Sequence, residues 1–316
     1  MPNPAAASRL RLETLGLTPR ALGAHDLPLG ALVWLSFGPV AGELARSAAL
    51  AKELRIAETG EVPRLRVKNP TKVDVLLPSD LVVDGGKQAR VVERSVIVPA
   101  AAEIDIPVRC VEAGRWAPKP GASPTSFSFK ASASTHSREH LMALKQAMLR
   151  THDAYELGQA DVWKHVAAEL TRTGTASGTT SYGAFLETRA EQLERARGMK
   201  IAVPPAANAL AVVRNESSSI WIEAFPSHDH VVESSIEHAA DLLPGAVATS
   251  RPGPAPFADP RARVEHALAR LAKASLVGVA PPPGTKGESY ALDAEGVLGF
   301  VLLSSSKLAH LTSTVA

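Results

Sequence analysis

Residues able to bind an anion or move a proton fall in a few short stretches of the chain. In Asp84-Gly85-Gly86-Lys87-Gln88-Ala89-Arg90, two glycines and three amide- or anion-binding side chains stand between the apolar runs Leu81-Val82-Val83 and Val91-Val92. Asp-Gly between apolar runs signals a hairpin, so one reading is a solvated bend. The other is a backbone nest: N–H groups left bare by Gly85 and Gly86 point at an anion, and Lys87 or Arg90 neutralises it. A P-loop is excluded, because Gln88 stands where that motif needs Ser or Thr.

The second stretch is Cys110-Val111-Glu112-Ala113-Gly114-Arg115-Trp116. Glu112 shares the strand parity of Cys110, which puts a carboxylate at the rim beyond an apolar row, and Gly114 permits a sharp turn. Arg115 and Trp116 there could clamp a phosphate and stack on a planar ring. They serve equally as an Arg–Glu pair with a core Trp beside it. Cys110 reads as a small buried hydrophobe.

Three further patterns carry histidine or aromatic groups. His136-Ser137-Arg138-Glu139-His140 satisfies the inverted zinc-protease spacing, yet Ser137 as a helix cap would leave His136 outside the helix. His228-Asp229-His230 stands at a helix start. Gln159 and Trp163, at i and i+4, are neighbours on one helical face, either as a binding pair or as a surface Gln beside a core Trp.

The elements that must position these groups change character along the chain. From 62 to 111 short strands are expected, the clearest being Glu103 to Cys110, with Ile104, Ile106, Val108 and Cys110 on one face, Glu103, Asp105 and Arg109 on the other, and Pro107 on an edge or bulge. A Pro/Ser/Gly-rich connector at 117–134 leads to helices carrying Leu141, Leu144 and Met148, then Val162, Val166 and Leu170, then Ser181 to Arg197 closed by Gly198. Strands over 208–213 and 220–225, a helix capped by Ser227, a Pro-rich surface segment over 251–260, a helix opened by Asp259-Pro260, and a closing strand over 297–303 complete the reading. The fold class is α+β: an antiparallel β-rich half (1–116), packed with a helical middle (135–198) and a mixed α/β part (199–316), in one domain.

With 316 residues and 45% apolar content the chain can bury a sizeable core. A formal charge of +2 without a dense basic block argues against nucleic acid as a partner. The longest apolar run, 29–37, is about half a membrane span. The first twenty residues lack the pattern of a secretory signal, so a cytoplasmic protein without membrane association is expected. One cysteine excludes an internal disulfide and any multi-cysteine zinc site. No cofactor is implied.

Taken in order, the stretch from 61 to 116 resembles the ARPP-1 family, the ARG and rhodanese-phosphatase-superfamily-associated proteins. The carriers are Gly85-Gly-Lys-Gln-Ala-Arg90, Val98-Pro-Ala-Ala101, Cys110 to Trp116, and the helix motif Gln159 to Trp163. Weaker likeness runs on through Ile220-Trp-Ile-Glu-Ala-Phe-Pro-Ser227 and Gly296 to Leu303. Ala89 departs from the family's usual Asn, and Pro78-Ser-Asp80 from its acidic stretch. The family's association with ADP-ribosylglycohydrolases implies handling of ADP-ribose or another NAD-derived nucleotide, a small-molecule ligand. On that reading Gly85, Gly86, Lys87 and Arg90 would hold a pyrophosphate, with Arg115 beside them. Gln88 would bond a ribose or base edge, Gln159 would be a further ligand contact, Trp116 or Trp163 would stack on adenine, and Glu112 would act as general base. The alternatives are a non-catalytic interaction module in which the same residues pair internally, and a zinc hydrolase at His136 and His140.

Overall fold

A computed structural model describes residues 10–46, 50, 52–121, 123, 125–152, 157–245 and 259–316. Strands β1 (Arg20–Leu27), β2 (Gly30–Ser36), β3 (Ala45–Arg46), β4 (Arg55–Glu58), β5 (Arg64–Lys68) and β6 (Val75–Leu77) open the chain. Then come β7 (Leu81–Gly85), β8 (Arg90–Val92), β9 (Val96–Val98), β10 (Glu103–Cys110) and β11 (Phe127–Ser132). Helices α1 (Thr135–His152), α2 (Gln159–Thr173) and α3 (Tyr182–Gly198) form the middle. Strands β12 (Ala209–Arg214) and β13 (Ile220–Ala224), helices α4 (His228–Asp241) and α5 (Pro260–Leu271), and strands β14 (Ser275–Val279), β15 (Glu288–Asp293), β16 (Val297–Ser304) and β17 (Lys307–Val315) finish it. The architecture is α+β with mostly antiparallel sheets.

The eight-stranded sheet has the order β1-β2-β12-β13-β17-β16-β15-β14, so the end of the chain lies beside β13 in its middle. Both faces are covered, which explains why β2 reads as an unbroken apolar run. Ala31, Val33 and Leu35 pack with Ile220, Ile222 and the α5 residues Val264, Leu268 and Leu271. Leu32 and Trp34 pack on the other face with Trp221 and the α4 residues Val231 and Ala239. The same alternation sends Glu223 to the α4 face with Trp221. That places one carboxylate inside an apolar layer.

The six-stranded sheet, β11-β7-β8-β10-β5-β4, contains the expected hairpin: Val83 pairs with Arg90 and Val82 with Val91. In β10 the predicted apolar face is buried, but Arg109 is buried as well, 3.3 Å from Glu93. Pro107 sits where β10 changes partner, pairing with β5 up to Pro107 and with β8 from Val108. No ladder bond needs its missing N–H.

Several expectations on the helices are corrected. Helix α1 starts at Thr135, not after Ser137, so His136 lies within it. The Ser137 hydroxyl is engaged by Ser134 and Tyr182, both from outside the helix. Gly198 is the last residue of α3, and Met199 follows it as the C-cap. The cap at Asp259-Pro260 holds, the Asp259 side chain accepting a backbone N–H two residues on. Ser227 stands at the N-cap of α4, but its hydroxyl makes no cap bond and meets His230 Nδ1 at 2.7 Å instead. Most of the Pro-rich segment, 251–258, lies outside the described residues. Among those residues no helix is long and apolar enough to cross a membrane.

Candidate functional site

The turn at 84–90 and the segment 110–116 meet in space, since the Arg115 guanidinium donates to the Gly86 carbonyl at 2.8 Å. What they form is a lock. Arg115 clasps Glu112 with both arms of its fork, Nε to Oε1 at 2.9 Å and Nη2 to Oε2 at 2.6 Å. Thr179 Oγ1 donates to Oε1 at 2.8 Å and the Ala89 N–H to Oε2 at 3.0 Å. Burial pushes the Glu112 carboxyl up, but the bonds from Arg115, Ala89 and Thr179 outweigh it and hold the group below its ordinary value. A carboxylate so engaged has little basicity, whereas the general-base role expected of Glu112 asks for a proton acceptor. Replacing Glu112 with Gln should lower stability by about 1–3 kcal/mol in urea denaturation, because buried donors lose their acceptor. Unchanged stability would show that the lock carries no weight.

The remaining signature residues are spent in the same way. Gln88 donates to the Glu112 carbonyl and accepts from the Cys110 thiol. Gln159 bonds both the N–H and the C=O of Cys110, as a neighbouring strand would, and so fastens α2 to the end of β10. The nest does hold an anion, but it is the chain's own: Glu58 accepts from the Lys87 N–H at 3.0 Å and lies 3.7 Å from Arg90. Gly85 and Gly86 both have positive φ, and a Cβ on Gly86 would come within 2.6 Å of Glu58 Oε1. The glycines are needed for close packing. Of the side chains expected to bind a ligand, Lys87 and Trp116 are the exposed ones; Trp116 is 57% exposed, edge-on to Trp163 with ring centroids 6.4 Å apart.

With α1 starting early, His136 and His140 do share a helical face. They meet His165 of α2 in an open groove; the His140 and His165 rings stack with centroids 4.4 Å apart. Glu139, which a zinc protease of this pattern would use, turns instead to Arg214. Among the described residues no three His, Cys, Asp or Glu groups are gathered as a metal site. The zinc-hydrolase reading therefore lacks its ligand set.

A built polar site lies elsewhere, where β13, α1 and α4 converge. Glu223, 2% exposed, accepts at Oε2 from Arg138 at 2.9 Å, from Ser234 at 2.8 Å and from His238 at 3.0 Å. Burial pushes this carboxyl up, yet the Arg138 charge and the imidazoles of His238 and His310 hold it well below the ordinary value. Arg138 also donates to Glu237 at 2.9 Å and to the Ala133 carbonyl at 2.7 Å. Glu223 and Arg138 line a cavity of about 160 Å³ together with His230, Ser234, Phe225, Arg46 and Glu233. His230 is 7% exposed, and its Nε2 has no partner. Its pKa falls to about 3, chiefly through burial, so the ring is neutral.

A second cavity of about 410 Å³ adjoins the first and shares Phe129, Lys130, Glu233 and Glu237 with it. Together they make a cleft between β11 and helices α3 and α4, with Arg197 and Lys130 among the cations along it. Sequence reading passed over this site. The available signal was a lone charge in Ile220-Trp-Ile-Glu-Ala-Phe225, a strand apolar on both faces.

The domain family described as ARG and Rhodanese-Phosphatase-superfamily-associated Protein domain, ARPP-1, matches residues 35–314. No curated protein and no solved structure matches the chain.

Proposed function

Because the chain belongs to the ARPP-1 family, associated by name with the rhodanese-phosphatase superfamily, we propose that it binds a ribose-bearing nucleotide derivative of the ADP-ribose or NAD class in the cleft. The observation that carries this reading is the floor of the smaller cavity. Glu223, fixed by three donors, and His230, whose buried Nε2 lacks a partner, both face the same space. Buried polar groups without a structural partner mark a place where a ligand completes the bonding. Glu223 and His230 suit ribose hydroxyls, Phe129 and Phe225 supply ring faces, and Lys130 and Arg197 suit phosphates further out.

The carboxyls also divide by environment. Glu223 stays ionised, whereas burial and the neighbouring Glu237 raise the pKa of Glu233 at the mouth. If the bound compound has a scissile glycosidic bond, Glu233 is the group to protonate the leaving atom and Glu223 the charge to steady a cationic ribosyl centre.

A second reading keeps the ligand at the outer surface, on Trp116 with Lys87 beside the turn. It is favoured by one observation, that a tryptophan anchored so firmly through Arg115 is left exposed. Isothermal titration with ADP-ribose, NAD, ribose 5-phosphate and inorganic phosphate separates the two. The cleft reading expects binding that weakens about tenfold or more in His230→Ala and Glu233→Gln and is unchanged in Trp116→Ala and Lys87→Ala. The opposite pattern moves the ligand to the surface. No binding of any of the four compounds ends the nucleotide reading.

A further inference from the structure

Glu223 reaches another element through its other oxygen. Its Oε1 lies 3.4 Å from Nε2 of His310 on β17, at ion-pair distance though not aligned as a hydrogen bond. The opposite ring nitrogen, Nδ1, is 2.7 Å from Ser95 Oγ. Ser95, between β8 and β9, also accepts the Ser79 backbone N–H at 3.0 Å. That donor occupies a lone pair of the hydroxyl and leaves the Ser95 proton free to point at Nδ1. In that tautomer, which the relay requires, the imidazole carries its own proton on Nε2, toward Glu223. The Phe225 ring, 4.9 Å from that of His310, packs against it.

Ser95 and His310 open together onto a cavity of about 20 Å³ lined also by Ser79, Arg94 and Tyr290. Ser95 is half-buried and His310 is 1% exposed, so the hydroxyl is the more accessible member. A hydroxyl, an imidazole within hydrogen-bond reach, and a carboxylate at the far ring nitrogen are the parts of an activated nucleophile. Here they come from a turn and from two strands of the eight-stranded sheet, so no sequence spacing reveals them.

We propose that Ser95 is a nucleophile, with His310 as its base and Glu223 as the positioning residue, acting on small carboxylic esters or thioesters. The cavity has room for about one water-sized group, which restricts the acyl part to acetyl or smaller. Ser95 Oγ bonds to the acyl carbon while its proton passes to His310 Nδ1. The bond to the leaving oxygen or sulfur breaks, and that atom takes the proton from His310. Water then adds to the acyl carbon and gives a proton to His310, which returns it to Ser95 Oγ as the carboxylic acid leaves. Glu223 faces the Nε2 proton throughout and offsets the charge on the imidazolium.

The test uses p-nitrophenyl acetate with the full chain. The expected result is a burst of p-nitrophenolate equal to the protein concentration, with one acetyl group mapped to Ser95 by peptide mass spectrometry. The burst should vanish in Ser95→Ala and slow at least about 100-fold in His310→Gln, the scale of general-base assistance. Equal rates in wild type and a folded Ser95→Ala, or acetyl found only on lysine or tyrosine side chains, would overturn the proposal and leave the relay as a structural crosslink. Should either variant fail to fold, the position of the acetyl group in wild type decides. Nucleotide binding in the cleft is measured separately and does not depend on this result.

Discussion

Arg138→Met is expected to lower the stability of the folded chain by about 3–5 kcal/mol, the scale for removing one partner of a buried ion pair. Arg138 is 2% exposed and ties Glu223, Glu237 and the Ala133 carbonyl into one unit. Without the guanidinium, Glu223 remains in an apolar layer with its chief countercharge gone. Arg138→Lys should recover only part of the loss, because an ammonium cannot spread donors over three acceptors in the planar geometry found here. Urea denaturation measures both variants. A change below about 1 kcal/mol for Met would show that the network contributes no more than a surface pair. Such a network is a poor way to gain stability, since apolar residues of the same volume often do as well. Two of its members, Glu223 and Arg138, also line the cavity in which the ligand is proposed to bind.

Local rules made much of the frame readable. Alternation located β10, the span expected from Ser181 to Arg197 matched α3 to within a residue at each end, and Asp259-Pro260 located α5. They failed where a side chain is claimed from a distance. Ser137 has the chemistry of a cap, but its hydroxyl is taken by Tyr182, while Thr135 turns to His238 and Asp241. The nest at Gly85 and Gly86 has the form of an anion site, and nothing near it in sequence shows that Glu58, 29 positions before Lys87, fills it. The meeting of 84–90 with 110–116 was legible as proximity and internal pairing as one of two readings; the choice between them was not, because saturation depends on every partner at once. Glu223 was visible as a charge in an apolar run. Its partners Arg138, His238 and His310 come from three other elements, and only the topology assembles them.

Acidification from pH 7 to pH 5 is expected to lower stability by roughly 3–4 kcal/mol, mainly through His165 and His230. Burial lowers the pKa of His165 to about 4, helped by the His140 charge, and that of His230 to about 3. Both residues are 7% exposed, so solvent screening is slight. The unfolded chain protonates these rings near pH 6.5 while the folded chain keeps them neutral. Their contribution is therefore complete above pH 6.5 and is lost as pH falls toward the folded values, at about 2 kcal/mol for each ring by pH 5. His136 and His238, also lowered by burial, act in the same direction. Glu93 and Glu139, raised by burial, oppose it, because the folded state takes up their protons first as pH falls. Glu223 adds a further loss only below its unfolded value, about 4.5, where the unfolded chain protonates before the folded one. Urea midpoints across this range measure the slope, and His165→Gln with His230→Gln should remove most of it. A flat or rising profile between pH 7 and pH 5 would mean that these rings are hydrated, or are paired with acids, in the folded protein.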